Sequence, residues 1–133
     1  MLGLAALFAL AAGGYALARG VRNALEAERG LQSTVVAGAA VDAFIRAQNP
    51  PRWPASWDEL ATVEYADHPW IHWPRDRGTI EPRVAIDFSA TLADVAVTTP
   101  ESFNAIRPTG PCYSGWRRDL AFVAETARRL TQP

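Results

Sequence analysis

The first eighteen residues, Met1–Ala18, read MLGLAALFALAAGGYALA and contain no charged side chain. As an α-helix rising about 1.5 Å per residue, this segment is about 27 Å long, slightly shorter than the hydrocarbon core of about 30 Å in a typical bilayer. Extension to Val21, with Arg19 and Arg22 reaching toward the lipid headgroups, closes the difference. The sequence therefore predicts a transmembrane helix over residues 1–21.

The same segment has a second interpretation as a cleaved secretory signal. Ala16-Leu17-Ala18 places two small residues around a spacer directly before Arg19, which is the pattern of a cleavage site. No Lys or Arg precedes the apolar run, and the run is longer than the apolar core of about 7–15 residues that signal peptides have. A retained anchor is therefore favoured. Cleavage after Ala18, which leaves a small secreted binding domain, is the alternative.

An amphipathic helix, the spine, is predicted to continue from the membrane segment over residues 22–48. No proline occurs before Pro50, and Asn49-Pro50-Pro51 ends the helical half because proline interrupts the helical hydrogen bonds. Glycines at positions 20, 30 and 38 predict a bend near one of them. Near the end of the spine, Val41, Phe44 and Ile45 extend the apolar character to other faces, as expected where a domain packs around the helix. The predicted apolar stripe consists of Val21, Leu25, Val35, Ala39 and Ala43, flanked by Leu31 and Val36, and the predicted polar side consists of Arg22, Glu26, Arg29 and Ser33.

Residues 49–133 are predicted to form one small α+β domain that packs on the spine. Ser56 and Glu59 have the spacing of a capping box and predict a short helix that ends near Val63. The aromatic and proline-containing segment Glu64–Gly78 is predicted to be irregular. Three short antiparallel strands and a C-terminal helix follow: the strands are Arg83–Phe88, Ala93–Thr98 and Phe103–Arg107, and the apolar stripe of the helix is Trp116, Leu120, Val123, Ala127 and Leu130.

This order of elements resembles type IV pilins and the pseudopilins of type II secretion. The resemblance covers roughly residues 1–60 and includes the stretch Trp53-Pro54-Ala55-Ser56-Trp57-Asp58-Glu59-Leu60, which is similar to the loop after the spine helix in those families. It implies a pilin-like domain on a membrane helix, facing the outside of the cytoplasm. The chain differs in two features: no Lys or Arg precedes the apolar run, where the families have a basic leader, and Met1–Ala18 contains no Glu, where mature pilins have one at their fifth position.

Two classes of function follow from these observations. The first is a structural or assembly subunit of a pilin-like or secretion-related cell-envelope system, whose partners are membrane lipid and other membrane or pilin-like subunits, including further copies of itself. The second is a bitopic membrane-anchored interaction module that does not polymerise. Ordinary small-residue content of a membrane helix is the alternative to a functional role for its glycines and alanines. In the first class, small residues would form the face through which membrane helices pack against each other: Gly3, Ala6, Ala9, Gly13 and Gly14.

Four tryptophans within 21 residues are candidates for a partner surface, because exposed Trp is enriched at binding hot spots. Core packing of their loop over the spine is the favoured interpretation, and the partner surface is the alternative. The four residues are Trp53, Trp57, Trp70 and Trp73.

The predicted location is the inner (cytoplasmic) membrane, which the chain crosses once. Arg19, Arg22 and Arg29 follow the predicted span, and by the positive-inside rule they place the C-terminal part in the cytoplasm. The resemblance to pilins instead implies an extracytoplasmic domain. These two orientations remain open.

No catalytic, cofactor or metal site is predicted, and the chain is not expected to be an enzyme. The net charge of −1 and the pI near 6.1 provide no basic surface for nucleic acid. Cys112, the single cysteine, is expected to be a small, buried apolar residue rather than a reactive thiol.

His68 and His72, with Glu64, Asp67 and Asp76 nearby, are the arrangement most similar to a metal site. Their spacing suits one face of a helix, but prolines at positions 69 and 74 disfavour a helix there. Loop residues that form hydrogen bonds are therefore the favoured interpretation.

Overall fold

The computed structural model describes residues 2–65 and 68–133 of the 133-residue chain. Met1, the first residue of the predicted membrane segment, and Asp67, an acidic neighbour of the two histidines, lie outside the described residues. The elements are α1 (Leu2–Ala47), α2 (Trp57–Leu60), α3 (Arg77–Ile80), a 3₁₀ turn (Glu81–Arg83), β1 (Val84–Ile86), α4 (Leu92–Ala96), β2 (Ile106–Pro108), α5 (Trp116–Asp119) and α6 (Ala121–Thr131). The predicted α+β class with a long N-terminal helix is confirmed.

The predicted membrane segment and spine form one continuous helix, α1, of 46 residues. At about 1.5 Å per residue the helix is about 69 Å long. Its two halves differ in their surroundings: side chains from Gly3 to Leu25 are exposed, whereas from Gly30 onward the domain covers one side of the helix. The helix continues through all three of its glycines that were predicted to favour a bend.

The domain packs on a different side of α1 from the one that the apolar stripe predicts. Ser33, which was predicted to lie on the polar side, has an exposed fraction of 0%, whereas Val21 and Leu25 of the predicted stripe are 53% and 54% exposed. The domain approaches this side of α1 closely at Gly30, where an added Cβ atom would lie 2.1 Å from the carbonyl oxygen of Pro111. The side chains that face the domain are mostly those of Ser33, Thr34, Ala37, Ala40, Val41, Phe44 and Ile45.

The sheet has two strands rather than the predicted three. β1 and β2 are antiparallel, with Val84 opposite Pro108 and Ile86 opposite Ile106. The predicted strand Ala93–Thr98 is wrong, because α4 occupies this segment. A complete capping box starts α4: the Thr91 hydroxyl accepts a hydrogen bond from the Asp94 N–H, and the Asp94 carboxylate accepts one from the Thr91 N–H, each at 3.1 Å.

The core lies where α1 meets the small sheet and α6, and α4 packs against α6. The predicted C-terminal helix is divided into α5 and α6 at Leu120, and its predicted stripe is buried except for Leu130. The largest side chains of the core that are almost fully buried are those of Trp73, Phe44, Phe103, Ile45, Leu60, Ile80, Ile106 and Leu120.

Candidate functional site

The N-terminal half of α1 projects from the domain with its apolar side chains uncovered. None of its most apolar eighteen-residue stretch is buried, and the helix is long and apolar enough to cross a membrane. From Gly3 to Leu25 the helix extends about 33 Å, which matches a hydrocarbon core of about 30 Å together with its boundary. Large side chains in this half expose about two thirds or more of their surface: Leu4, Leu7, Phe8, Leu10, Tyr15 and Leu17.

The small residues proposed as a packing face lie on one side of this projecting half. A helix of 3.6 residues per turn rotates about 100° per residue, which places Gly3, Ala6, Ala9, Gly13 and Gly14 within an arc of about 140°. A Cβ atom added to any of the three glycines would meet nothing within 4 Å. The protein's own domain therefore leaves this face free.

The same rotation places the predicted apolar stripe in line with these small residues. Val21 and Leu25 continue the face at the boundary of the membrane segment, and Val35, Ala39 and Ala43 continue it, half-buried, along the spine. The apolar stripe that the sequence predicts is thus a real feature of the helix, but it faces away from the domain. We call the exposed part of this face the outer seam: Gly3, Ala6, Ala9, Gly13, Gly14, Val21 and Leu25.

The domain is attached to the side of α1 opposite the outer seam. Gly30 lies against the backbone of Pro111, and the Tyr113 hydroxyl donates a hydrogen bond of 3.4 Å to the carbonyl oxygen of Ala24. Glu26 forms ion pairs with Arg29 at 2.9 Å and with Arg83, across to the domain, at 3.5 Å. These contacts fix the lower edge of the domain just above the projecting half.

The four tryptophans do not form one surface. Trp53 and Trp73 are buried in the core, where the Trp53 indole N–H donates to the carbonyl oxygen of Asp87 and that of Trp73 to the carbonyl oxygen of Leu60. Trp57 is half-buried, and its ring centroid lies 5.6 Å from that of Trp73. Trp70, at 75% exposed, is the one of the four that presents its ring to solvent. Burial in the core therefore limits the candidate partner surface to Trp70.

The Trp-Pro loop that carries the resemblance to pilins is held by one carboxylate. As the capping box predicts, the Ser56 hydroxyl accepts from the Glu59 N–H. The Glu59 carboxylate, however, accepts from the N–H of Ala55 and from the Arg52 guanidinium rather than from Ser56. The hydrogen bond from Arg52 is the largest cause and that from Ala55 the second largest cause of a lowered pKa of Glu59, which is about 2.

This carboxylate predicts a defined loss of stability in acid. The pKa of Glu59 in the folded chain, about 2, is below its ordinary value of 4.5, so ionised Glu59 favours the folded state above about pH 4.5. This contribution is lost as the pH falls from about 4.5 to about 2. In urea titrations of the full chain in detergent micelles, Glu59→Gln is expected to have a shallower dependence of stability on pH across this range.

The control for this titration is Glu101→Gln, which removes an exposed carboxylate outside the loop and retains the wild-type slope. If the free energy of unfolding of Glu59→Gln depends on pH as steeply as that of the wild-type chain, the contact between Arg52 and Glu59 does not contribute to the stability of the folded chain.

The two histidines lie in loop structure. The ring Nδ1 of His68 accepts hydrogen bonds from the backbone N–H groups of Trp70 and Ile71, and the backbone N–H of His72 donates to the Asp76 carboxylate. This last bond is the main reason that the pKa of Asp76 is lowered. Among residues 2–65 and 68–133, no group of three or more His, Cys, Asp or Glu side chains is arranged to hold a metal ion.

Cys112 lies half-buried in the loop that packs on Gly30. Burial raises the pKa of its thiol above the ordinary value. A raised pKa reduces the thiolate fraction at neutral pH, and the thiolate is the reactive form.

Comparisons with protein-family models, with curated proteins and with solved structures find no match to this chain.

Proposed function

We propose that this chain is a structural or assembly subunit of a pilin-like or secretion-related cell-envelope system. A single pass of α1 holds it in the inner membrane, with the domain on the extracytoplasmic side as the resemblance to pilins implies. The observation that carries the proposal is the outer seam, which extends from the membrane segment to the domain while facing away from that domain. A helix face of this kind is available to the helices of neighbouring subunits.

The composition of the outer seam suits contact between helices in two environments. Inside a bilayer, glycine and alanine allow helix backbones to approach closely, and packing then depends on van der Waals contact. Near the domain, Val21 and Leu25 expose about half of their surface, and covering apolar surface at the water-facing end adds a hydrophobic contribution of roughly 25 cal/mol per Å². One continuous face thus supplies contacts both within and just above the membrane.

A second candidate is a bitopic interaction module that does not polymerise. The observation that favours it is that Met1–Ala18 contains no Glu, so the segment has no carboxylate with which to pair with a neighbouring subunit in the way that pilins do. In this case α1 serves as an anchor, and exposed Trp70 is the candidate contact for a partner.

Disulfide crosslinking in native membranes tests whether neighbouring helices meet at the outer seam. Single cysteines at Ala6 or Ala9, in a Cys112→Ser background, are expected to give disulfide-linked dimers after mild oxidation, as measured on non-reducing gels. Ala11→Cys is the matched control, because the same residue type lies about 140–160° around the helix from these two positions. The dimer yield at Ala11 is expected to be several-fold lower.

The outcomes separate the two candidates. Equal dimer yields at all three positions would reflect random collision and contradict packing through the outer seam. Crosslinks to a different protein at Ala6 and Ala9 only would place another subunit on the outer seam, whereas no crosslink at any of the three positions would favour the interaction module. Recovery of the chain in the soluble fraction would contradict membrane anchoring, on which both candidates depend.

A further inference from the structure

Tyr15, Arg19 and Arg22 lie together on the side of α1 opposite the outer seam. Their spacings of four and three residues place them within an arc of about 60°. With Ala18 and Asn23, which belong to the same exposed helix, they line a shallow surface cleft at the end of the apolar segment. The two arginines alone indicate only where the membrane segment ends. Their spacing from Tyr15 along a continuous helix places all three side chains on one face.

The two arginines carry uncompensated positive charge. Within the part of the chain that the structure describes, neither the Arg19 nor the Arg22 side chain forms an ion pair or a hydrogen bond, and both are exposed. Glu26, the next acidic residue on this side of the helix, is paired with Arg29 and Arg83. The cleft therefore presents two free guanidinium groups and one phenol.

The position of the cleft along α1 determines which anions reach it. Tyr15 to Arg22 covers about 10 Å of the helix at the boundary of the apolar segment, where Tyr and Arg side chains reach the headgroups of a bilayer. The domain lies on the same side of the helix, where Arg83 pairs with Glu26 one turn beyond Arg22. The cleft is thus located between the underside of the domain and the bilayer surface.

We propose that the cleft of Tyr15, Arg19 and Arg22 binds the phosphate of an anionic phospholipid headgroup. Guanidinium groups match phosphate oxygens with paired, charge-assisted hydrogen bonds, and the Tyr15 hydroxyl supplies a further donor. Two cations without an acidic partner favour a headgroup of net negative charge over a zwitterionic one. The inference rests on the proposed membrane anchoring and adds a specific lipid to it.

Native mass spectrometry of the full chain in detergent micelles tests this site. Phosphatidylglycerol and phosphatidylcholine with the same acyl chains are added separately, and the lipid-bound fraction is measured. The wild-type chain is expected to retain phosphatidylglycerol about tenfold more strongly, since each arginine near an anionic headgroup contributes favourably. The double variant Arg19→Gln/Arg22→Gln is expected to retain both lipids equally.

Two further variants make the result specific. Arg75→Gln/Arg118→Gln removes the same charge from exposed positions of the domain and is expected to keep the preference for phosphatidylglycerol. Arg19→Lys/Arg22→Lys keeps the charge but not the paired hydrogen bonds, and an intermediate preference is expected.

Three results would overturn the lipid site while leaving the anchor intact. These are equal retention of the two lipids by the wild-type chain, an undiminished preference in Arg19→Gln/Arg22→Gln, and retention of inorganic phosphate alone as strong as that of phosphatidylglycerol. A chain that stays monodisperse in buffer without detergent would instead contradict the proposed anchoring itself. Failure of the lipid site and failure of the anchor are therefore distinguishable.

Discussion

Replacement of Trp73 by Ala is expected to lower the free energy of unfolding by about 3–5 kcal/mol, whereas Trp70→Ala is expected to change it by less than about 0.5 kcal/mol. The two residues have the same type and are three positions apart, but Trp73 is 2% exposed and Trp70 is 75% exposed. Truncation of Trp73 leaves a cavity beside Trp57 and removes the donor to the Leu60 carbonyl oxygen, which is 3.0 Å from the indole nitrogen. Truncation of Trp70 removes only exposed surface.

Urea unfolding of the full chain in detergent micelles, followed by far-UV circular dichroism, measures both changes. Trp73→Phe retains much of the ring volume and is expected to fall between the wild-type chain and Trp73→Ala, which keeps the comparison informative if the Ala variant does not fold. Similar losses at positions 70 and 73 would contradict the division of the tryptophans into core and surface. A stable Trp70→Ala variant is also the one with which to test partner binding.

The extent of the long helix and the cap of α2 follow from strong sequence signals. The long run without proline predicts one long helix, and Pro50 and Pro51 coincide with its end, because neither residue can continue the helical hydrogen bonds. The hydroxyl of Ser56 and the backbone of Glu59 form the predicted cap of α2. Local backbone hydrogen bonding decides these features, so a single sequence contains the information for them.

The error at Ala93–Thr98 comes from preferring one local signal over another. The alternation of Val95 and Val97 predicts a strand, but Thr91 and Asp94 have the spacing of a capping box and start a helix instead. Val95 lies in this helix and is buried, whereas Val97 lies just after its end and is exposed. A cap that satisfies two backbone donors is the better predictor here, because the alternating segment is only a few residues long.

The packing face of α1 was predicted only in part: Val41, Phe44 and Ile45 are buried as expected, but the predicted stripe faces away from the domain. Hydrophobicity alone assigns Val21 and Leu25 to the inside and Ser33 to the outside, but the domain contacts the side where small residues permit close approach. Which side a domain selects depends on the shape of segments distant in sequence, such as the loop at Pro111. The orientation of the outer seam, and therefore its availability to other subunits, required the structure.

Gly30→Ala is expected to destabilise the domain by about 1–3 kcal/mol, because the added methyl group collides with backbone. A Cβ atom at this position would lie 2.1 Å from the carbonyl oxygen of Pro111 and 3.6 Å from the Cβ atom of Cys112. The matched control is Gly20→Ala, where nothing lies within 4 Å and the helix is expected to gain up to about 1 kcal/mol in propensity. Gly38→Ala is expected to cost less than Gly30→Ala, since the atom it meets at 2.3 Å is the terminal Cδ2 of the Leu120 side chain.

The reactivity of Cys112, which lies beside the contact between Gly30 and Pro111, shows whether the loop moves away from α1 in Gly30→Ala. If the loop at Pro111 moves away from α1 to accommodate the methyl group of Gly30→Ala, the Cys112 thiol becomes more exposed and its raised pKa returns toward the ordinary value. Reaction with Ellman's reagent at neutral pH is then expected to be several-fold faster in Gly30→Ala than in the wild-type chain, and unchanged in Gly20→Ala. An unchanged rate in Gly30→Ala, together with wild-type stability, would contradict the close approach of this loop to the helix.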